Sequence, residues 1–281
     1  MSPLEPHHLR VSASDLAGNG DLGRVFLIPG SLARVEAIAA HLTERRAFTS
    51  PRRLDVHLGR YEHGGMSVDI GTCPTGMGCP SLGIIVTELM ELGVRLLVRV
   101  GSAGSLQPDA VRAGDLVIAT GAVRDESASD AYAPREVPAL AHLDWVQALQ
   151  RAALARGLGD RTFAGLVHTK DSLYGREFTM GPRAAANQAY MAELRALGVV
   201  ATEMESSHLF LLAQARAHRA TPVAAPADPA RVKMGSILAV LGAEGVFEGS
   251  AAARTGEENA ILVALDAALA LVEAERQERD T

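Results

Sequence analysis

Arg24-Val25-Phe26-Leu27-Ile28-Pro29-Gly30-Ser31-Leu32-Ala33-Arg34-Val35 decides the class of fold. An apolar strand ends at Pro29-Gly30, Ser31 serves as a helix N-cap, and the residues up to Leu42 follow at helical spacing. A strand that turns directly into a helix is the building unit of α/β domains. The same alternation continues outward. Further strands are expected at Met66 to Cys73, Leu96 to Val100, Leu116 to Thr120, Phe163 to Thr169 and Gly235 to Leu241. Helices are expected at Leu32 to Leu42, Ser81 to Leu92, Ala139 to Ala155, Ala184 to Leu197, Ser206 to Ala217 and Ala251 to Glu275. The pattern predicts one three-layer α/β/α domain over residues 1–281 with a mixed central β-sheet. Residues 221–230 read as a flexible loop and 276–281 as a frayed tail.

Composition narrows the function. A chain of 281 residues, 48% of them hydrophobic, can bury one large core. Its net charge of -6 argues against a nucleic-acid-binding face, which would be basic. Cys73 and Cys79 form no disulfide framework, and their spacing lacks a second pair of metal ligands, so no metal site is expected. No apolar run reaches membrane-spanning length and the first residues lack a signal-peptide core. The expected location is the cytoplasm, away from membranes.

Three stretches carry chemistry. The Pro29-Gly30-Ser31 turn offers backbone N–H groups to an anion, with Arg34 one helical turn on. In Leu96-Leu97-Val98-Arg99-Val100-Gly101-Ser102-Ala103-Gly104, an arginine interrupts an apolar strand. That is costly unless an anion or a buried carboxylate neutralises it. A dinucleotide reading of Gly101 to Gly104 fails, because the spacing is not G-x-G-x-x-G and no helix follows before Pro108. In Ala201-Thr202-Glu203-Met204-Glu205-Ser206-Ser207, two carboxylates stand at the mouth of an apolar helix. Either caps the helix, or one accepts the paired hydroxyls of a sugar.

Taken in order, these stretches resemble the nucleoside phosphorylase family, and most closely its bacterial uridine phosphorylases. Glu203-Met204-Glu205 resembles the ribose signature, Gly30 with Arg34 the phosphate loop, and Arg99 to Gly104 the Arg-Ile-Gly-Thr-Thr-Gly motif, with Ser102 at a threonine position. The resemblance implies phosphate ligands Gly30, Arg34, Arg99 and Ser102. It also implies ribose contacts from Ser102, Glu203, Met204 and Glu205. Arg53, or alternatively Arg52, corresponds to an arginine that reaches a neighbouring subunit's phosphate, and Leu54 replaces the acidic residue that some members use for a monovalent cation. His8, in His8-Leu9-Arg10-Val11-Ser12, matches a histidine that crosses a dimer interface to the ribose 5′-hydroxyl.

The base end departs from the pattern. Lys170-Asp171-Ser172-Leu173-Tyr174-Gly175-Arg176-Glu177 resembles Lys-Asp-Ser-Phe-Tyr-Gly-Gln of uridine phosphorylases. Leu173 replaces the stacking aromatic and Arg176 the glutamine that reads the pyrimidine. Base contacts are therefore expected from Gly104, Leu173, Arg176, Glu177 and Arg183. Arg176 and Glu177 as a solvated surface pair is the alternative. Ile237 to Ala243, where purine-specific members place an aspartate, offers no carboxylate.

The resemblance implies phosphorolysis of a nucleoside with inorganic phosphate as co-substrate and no cofactor, with Arg99, Glu205 and Arg34 as the central catalytic residues. It implies a dimer with shared sites, assembled as a trimer of dimers. Alternatives are a purine nucleoside phosphorylase, and a binding protein that kept the ribose and phosphate sites but lost turnover.

Overall fold

The computed structural model describes residues 5–217, 231–243, 246–247 and 249–279. Strand β1 (Val25–Ile28) lies between two parallel neighbours, β4 (Met66–Thr72) and β5 (Leu96–Ser105). Beyond β4 the sheet continues through antiparallel β3 (Val56–His63) to β2 (Thr43–Phe48) at the edge. On its other side the sheet curls. β5 pairs in parallel with β10 (Lys233–Ala243) and in antiparallel with β9 (Ala201–Glu203). β10 pairs with β6 (Leu116–Asp125), β6 with β8 (Thr162–Lys170), and β8 returns to β9. Five strands thus close a ring, and short β7 (Ala139–Leu140) and β11 (Val246–Phe247) extend β6 and β10.

Period-two alternation splits each central strand between two cores. Phe26 and Ile28 face one cluster with residues of α2 (Cys79–Glu91) and α5 (Ser206–Ala217). Val25 and Leu27 face the other, with residues of α1 (Leu32–Ala39), α3 (Leu143–Ala155) and α6 (Ala251–Arg279). Helices therefore cover both sides of a mixed sheet, as expected. A small third cluster joins Leu106 to Met191, Leu194 and Val199, beside α4 (Ala184–Ala196).

Several boundaries differ from the sequence reading. β5 and β6 run to Ser105 and Asp125, five residues beyond Val100 and Thr120 in each case, because the ring supplies partners past the apolar stretch. The helix expected from Ala139 starts at Leu143, where His142 Nδ1 accepts from the Asp144 N–H and caps it, while Ala139 and Leu140 pair with β6. Strands β2 and β3 were not expected. α6 continues through Arg279, past Arg276. The stretch 221–230 and residues 280–281 lie outside the described residues. Among the described residues no helix is long and apolar enough to cross a membrane, and no group of His, Cys, Asp and Glu could hold a metal ion.

Candidate active site

A cavity of about 280 Å³ opens where the carboxyl ends of β1, β5, β8, β9 and β10 meet. Carboxyl ends of strands are where α/β sheets bind ligands, since chain reversals leave a crevice there. Gly30, Arg34, Arg99, Ser102, Gly104, Leu173, Glu177, Glu203, Met204 and Glu205 all line it. These residues span the chain from the first strand to the fifth helix, so only the fold brings them together.

One end is built from β1 and its turn. Ser31 caps α1 as expected, its Oγ accepting the Arg34 N–H. The Arg34 guanidinium turns back over the sheet, donating to the Val100 carbonyl at 3.3 Å and to the Glu257 carboxylate from α6. Arg99 projects from β5 on the α2/α5 side and is almost wholly buried. Its guanidinium lies over Gly101, where an added Cβ would sit 2.9 Å from Cζ, so this position has no room for a side chain.

Arg99 meets both carboxylates. Its Nε donates to Glu203 Oε2 at 3.2 Å and its Nη2 to Glu205 Oε2, while Nη1 is buried with no hydrogen-bond partner. The ion pair weighed from sequence therefore exists, and it leaves one donor over. The two glutamates divide the alternatives between them. Glu203 accepts from the backbone N–H groups of Glu205 and Ser206 and from the Thr169 hydroxyl, so it caps α5 and has its oxygens committed. Glu205 accepts one backbone N–H, from Gly78 at 2.6 Å. Burial pushes its carboxyl above the ordinary range, Arg99 opposes that shift, and the Glu203 charge adds to it. Between them, Met204 offers its carbonyl to the Cys79 thiol, whose own ionisation burial suppresses.

At the other end Glu177 pairs with Lys170, Nζ to Oε2 at 2.7 Å, and both are buried. Sequence reading passed over Lys170, Thr202, Gly78 and Glu257. Lys170 carried a signal akin to that of Arg99, a cation on a strand, but at the strand's last residue rather than inside it. Glu257 carried none, because 223 residues separate it from Arg34.

Four expected site residues do not line this cavity. Arg176 grips Asp125 through Nε at 2.6 Å and Nη2 at 2.8 Å, donates to Asn187, and stacks over Tyr190. With Arg183 it lines a separate depression next door. A bidentate clamp on Asp125 leaves Arg176 aimed away from the cavity, and it is not the solvated Arg176–Glu177 pair either. His8 Nδ1 contacts Glu88 of α2 at 2.7 Å, and that carboxylate also collects the N–H groups of His7, His8 and Leu9. Arg53 stands on the surface with φ 59° and a side chain 73% exposed, its Nε 3.5 Å from Asp55.

The family model of the phosphorylase superfamily matches residues 24–256. The chain belongs to that superfamily. Among phosphorylases similar to it, the uridine phosphorylase of Treponema pallidum is 35% identical over 95% of this chain and 94% of that protein. The uridine phosphorylase of Haemophilus influenzae is 37% identical over 77% and 83%, and the guanosine phosphorylase of Halorubrum lacusprofundi 30% over 73% and 78%. A crystal structure of purine nucleoside phosphorylase from Toxoplasma gondii in complex with immucillin-H superimposes with a TM-score of 0.78 at 25% identity, covering 98% of this chain and 99% of that one. As a superfamily member with these relatives, the chain is an enzyme, a pentosyltransferase of the phosphorylase kind.

Proposed function

We propose that this phosphorylase acts like a uridine phosphorylase, converting a pyrimidine nucleoside and inorganic phosphate to the free base and (deoxy)ribose 1-phosphate, reversibly. The observation that carries the reading is the meeting, in one cavity, of Arg34 and Arg99 with Glu205 and Met204. Two guanidinium groups and the Gly30-Ser31 turn suit a phosphate dianion, and Ser102 adds a hydroxyl. Glu205 suits the 2′ and 3′ hydroxyls of ribose, Met204 the sugar face, and Glu203 fixes the helix mouth on which they stand.

Phosphate attacks C1′ as the bond to the base lengthens, and the electron pair of that bond passes into the base. C1′ gains oxocarbenium character, which the anionic nucleophile beneath it stabilises. In the structure Arg99 is held by the carboxylates, so phosphate has to take over its donors, beginning with the unpartnered Nη1. Glu205 released from Arg99 then has its oxygens for the ribose. Phosphate arrival and sugar binding are coupled through one guanidinium. Gly104, Leu173 and Glu177 form the base wall, backed outside by Arg176 and Arg183.

The rest of the reading rests on the resemblance of the motifs. The whole chain acts as one domain, phosphate is the only co-substrate with no cofactor, and the enzyme works in the cytoplasm. Sites are completed across a two-fold dimer by the partner subunit's His8 and Arg53, and three dimers form a hexamer. The purine alternative draws on the guanosine phosphorylase relative. Against it, β10 carries no carboxylate between Ile237 and Ala243.

The test is base release from uridine, thymidine, inosine and adenosine, with and without phosphate, followed by chromatography. Phosphate-dependent release of uracil or thymine is the expected result. Hypoxanthine or adenine would move the enzyme to the purine branch, phosphate-independent release would make it a nucleosidase, and no release would leave a binding protein.

A further inference from the structure

Behind the base wall runs a chain of polar groups, half-buried at its outer end and buried at its inner end, that the phosphorolysis reading leaves without a task. Arg176 clamps both oxygens of Asp125. Asp125 Oδ2 is 3.0 Å from His168 Nε2, and His168 Nδ1 is 2.9 Å from Thr202 Oγ1. A carboxylate only accepts, so Nε2 carries the hydrogen and Nδ1 accepts from the Thr202 hydroxyl. Burial lowers the His168 pKa, in keeping with that neutral ring. Thr202 Oγ1 in turn accepts from Lys170 Nζ at 3.0 Å. Lys170 spends its other hydrogens on the Glu203 carbonyl at 3.3 Å and on Glu177 Oε2 at 2.7 Å.

All three ammonium hydrogens are then committed, so Lys170 has none to give a substrate. What it supplies is a counter-charge and an orientation for Glu177. The other oxygen, Oε1, lies against Gly104 in the cavity wall, only 2.4 Å from where a Cβ on that residue would stand. The Arg99 guanidinium lies over Gly101, three residues earlier on β5, which is roughly 10 Å of strand. Glu177 therefore faces the far end of a ligand whose phosphate end is at Arg99.

We propose that Lys170 is the positioning residue of the base site, aiming and counter-charging Glu177, and that Glu177 selects bases carrying a ring N–H beside a carbonyl. This rests on the phosphorolysis reading for the orientation of the ligand. Uracil and thymine present N3–H, and 6-oxopurines present N1–H. Cytosine N3 and adenine N1 present a lone pair instead, which a carboxylate oxygen repels. Sites built to hydrogen-bond one ring position reject analogues lacking the hydrogen strongly, because a buried group is left unpaired. The scheme also gives Arg176 a role: it holds the outer end of the chain that positions Lys170.

The test uses calorimetric titration with sulfate in place of phosphate, so that an oxyanion engages the Arg99 donors but no bond is broken and binding alone is read. Uridine is compared with 3-methyluridine, and inosine with 1-methylinosine, in which a methyl group replaces the hydrogen. Wild-type enzyme is expected to bind the unmethylated member of at least one pair tenfold or more tighter. Glu177→Leu should bring that ratio near one, Glu177→Gln should keep part of it through its amide carbonyl, and Lys170→Met should reduce it as far as Glu177→Leu. The double variant should lose no more. Phosphate titration of each variant checks the fold, and Glu177→Gln, the nearest in shape, carries the test if the others fail it. A wild-type ratio near one in both pairs, or a ratio that survives in Glu177→Leu or Lys170→Met, overturns the proposal. Turnover with phosphate alongside such a result sinks this proposal alone. A tenfold ratio without any turnover sinks the phosphorylase reading and leaves this one, and failure to bind either nucleoside sinks both.

Discussion

Arg99 shows how one side chain serves stability and chemistry together. Buried beside two carboxylates, it is held charged by Glu205 and Glu203 against the desolvation that opposes it. Removing one member of a buried pair leaves the rest uncompensated, at a cost of about 3–5 kcal/mol. Arg99→Ala is therefore expected to lower unfolding free energy by that order in denaturant titration. It should also abolish the thermal stabilisation that phosphate gives the wild type. Loss of stability with phosphate stabilisation intact would confine Arg99 to a structural role. Glu205→Ala should cut kcat/KM for ribonucleosides by roughly a hundredfold or more, on the scale of lost transition-state contacts, and near-normal rates would remove it from the site. Gly104→Ala places a Cβ on Glu177 Oε1. It should raise KM for the nucleoside while leaving phosphate dependence near the wild-type value, and equal damage to both would show a general collapse. At this scale much was legible in advance: an arginine inside an apolar strand and paired glutamates at a helix mouth each violate the usual burial of charge. The pairing of Arg176 with Asp125 was not legible, because 51 residues separate them and nothing local says which carboxylate claims a guanidinium.

Elements were legible where burial imposes a period, and hidden where it does not. β1 is apolar throughout and was read directly, whereas β5 was read only along its apolar start, to Val100. β2, Thr-Glu-Arg-Arg-Ala-Phe, is exposed along nearly its whole length at the edge of the sheet and looks like a loop. Charged residues on an edge strand discourage pairing with another chain, so the feature that hides the strand also protects it. The stretch from Ala139 has helix-forming composition, but the helix waits for the cap at His142. That cap makes a pH prediction. His142 is held neutral in the folded protein, its pKa lowered to about 4 chiefly by burial, with Arg231 and Lys233 in the same direction and Asp144 and Glu275 against it. Unfolded, the ring binds a proton near 6.5. Between those values the unfolded chain holds more protons, so stability is complete above pH 6.5 and falls as pH drops toward 4. Protonation also removes the Nδ1 lone pair that accepts the Asp144 N–H. From pH 7.5 to pH 5 the loss due to this residue should reach up to about 2 kcal/mol. His142→Asn keeps a capping side chain without the titration. Its unfolding free energy should fall less over that range, and an identical slope would show that His142 does not titrate as its burial requires.

At the scale of the whole molecule, the cavity holds Arg34 and Arg99 from its own chain, while Arg53 stands on the surface. Its backbone sits in the left-handed region, uncommon for a residue with a side chain, and such positions often mark functional sites. In the proposed two-fold dimer, Arg53 of each subunit completes the phosphate site of the other. That arrangement has a consequence that a self-contained site lacks. Arg53→Ala damages every site of its homodimer from outside, and Arg99→Ala damages every site from within. In a hybrid of the two, one site has an intact Arg99 from the first subunit and an intact Arg53 from the second, while the other site lacks both. Random exchange makes half of the dimers hybrid, so mixing two nearly inactive preparations should restore about a quarter of wild-type activity under isologous two-fold pairing. The measurement is phosphorolysis before and after subunit exchange, at equal total protein. Activity that stays at the average of the two parents would place Arg53 outside the partner's site, and the surface arginine at Arg52 would then be exchanged in the same way. Recovery with Arg52→Ala but not with Arg53→Ala would keep the shared site and move its arginine by one residue.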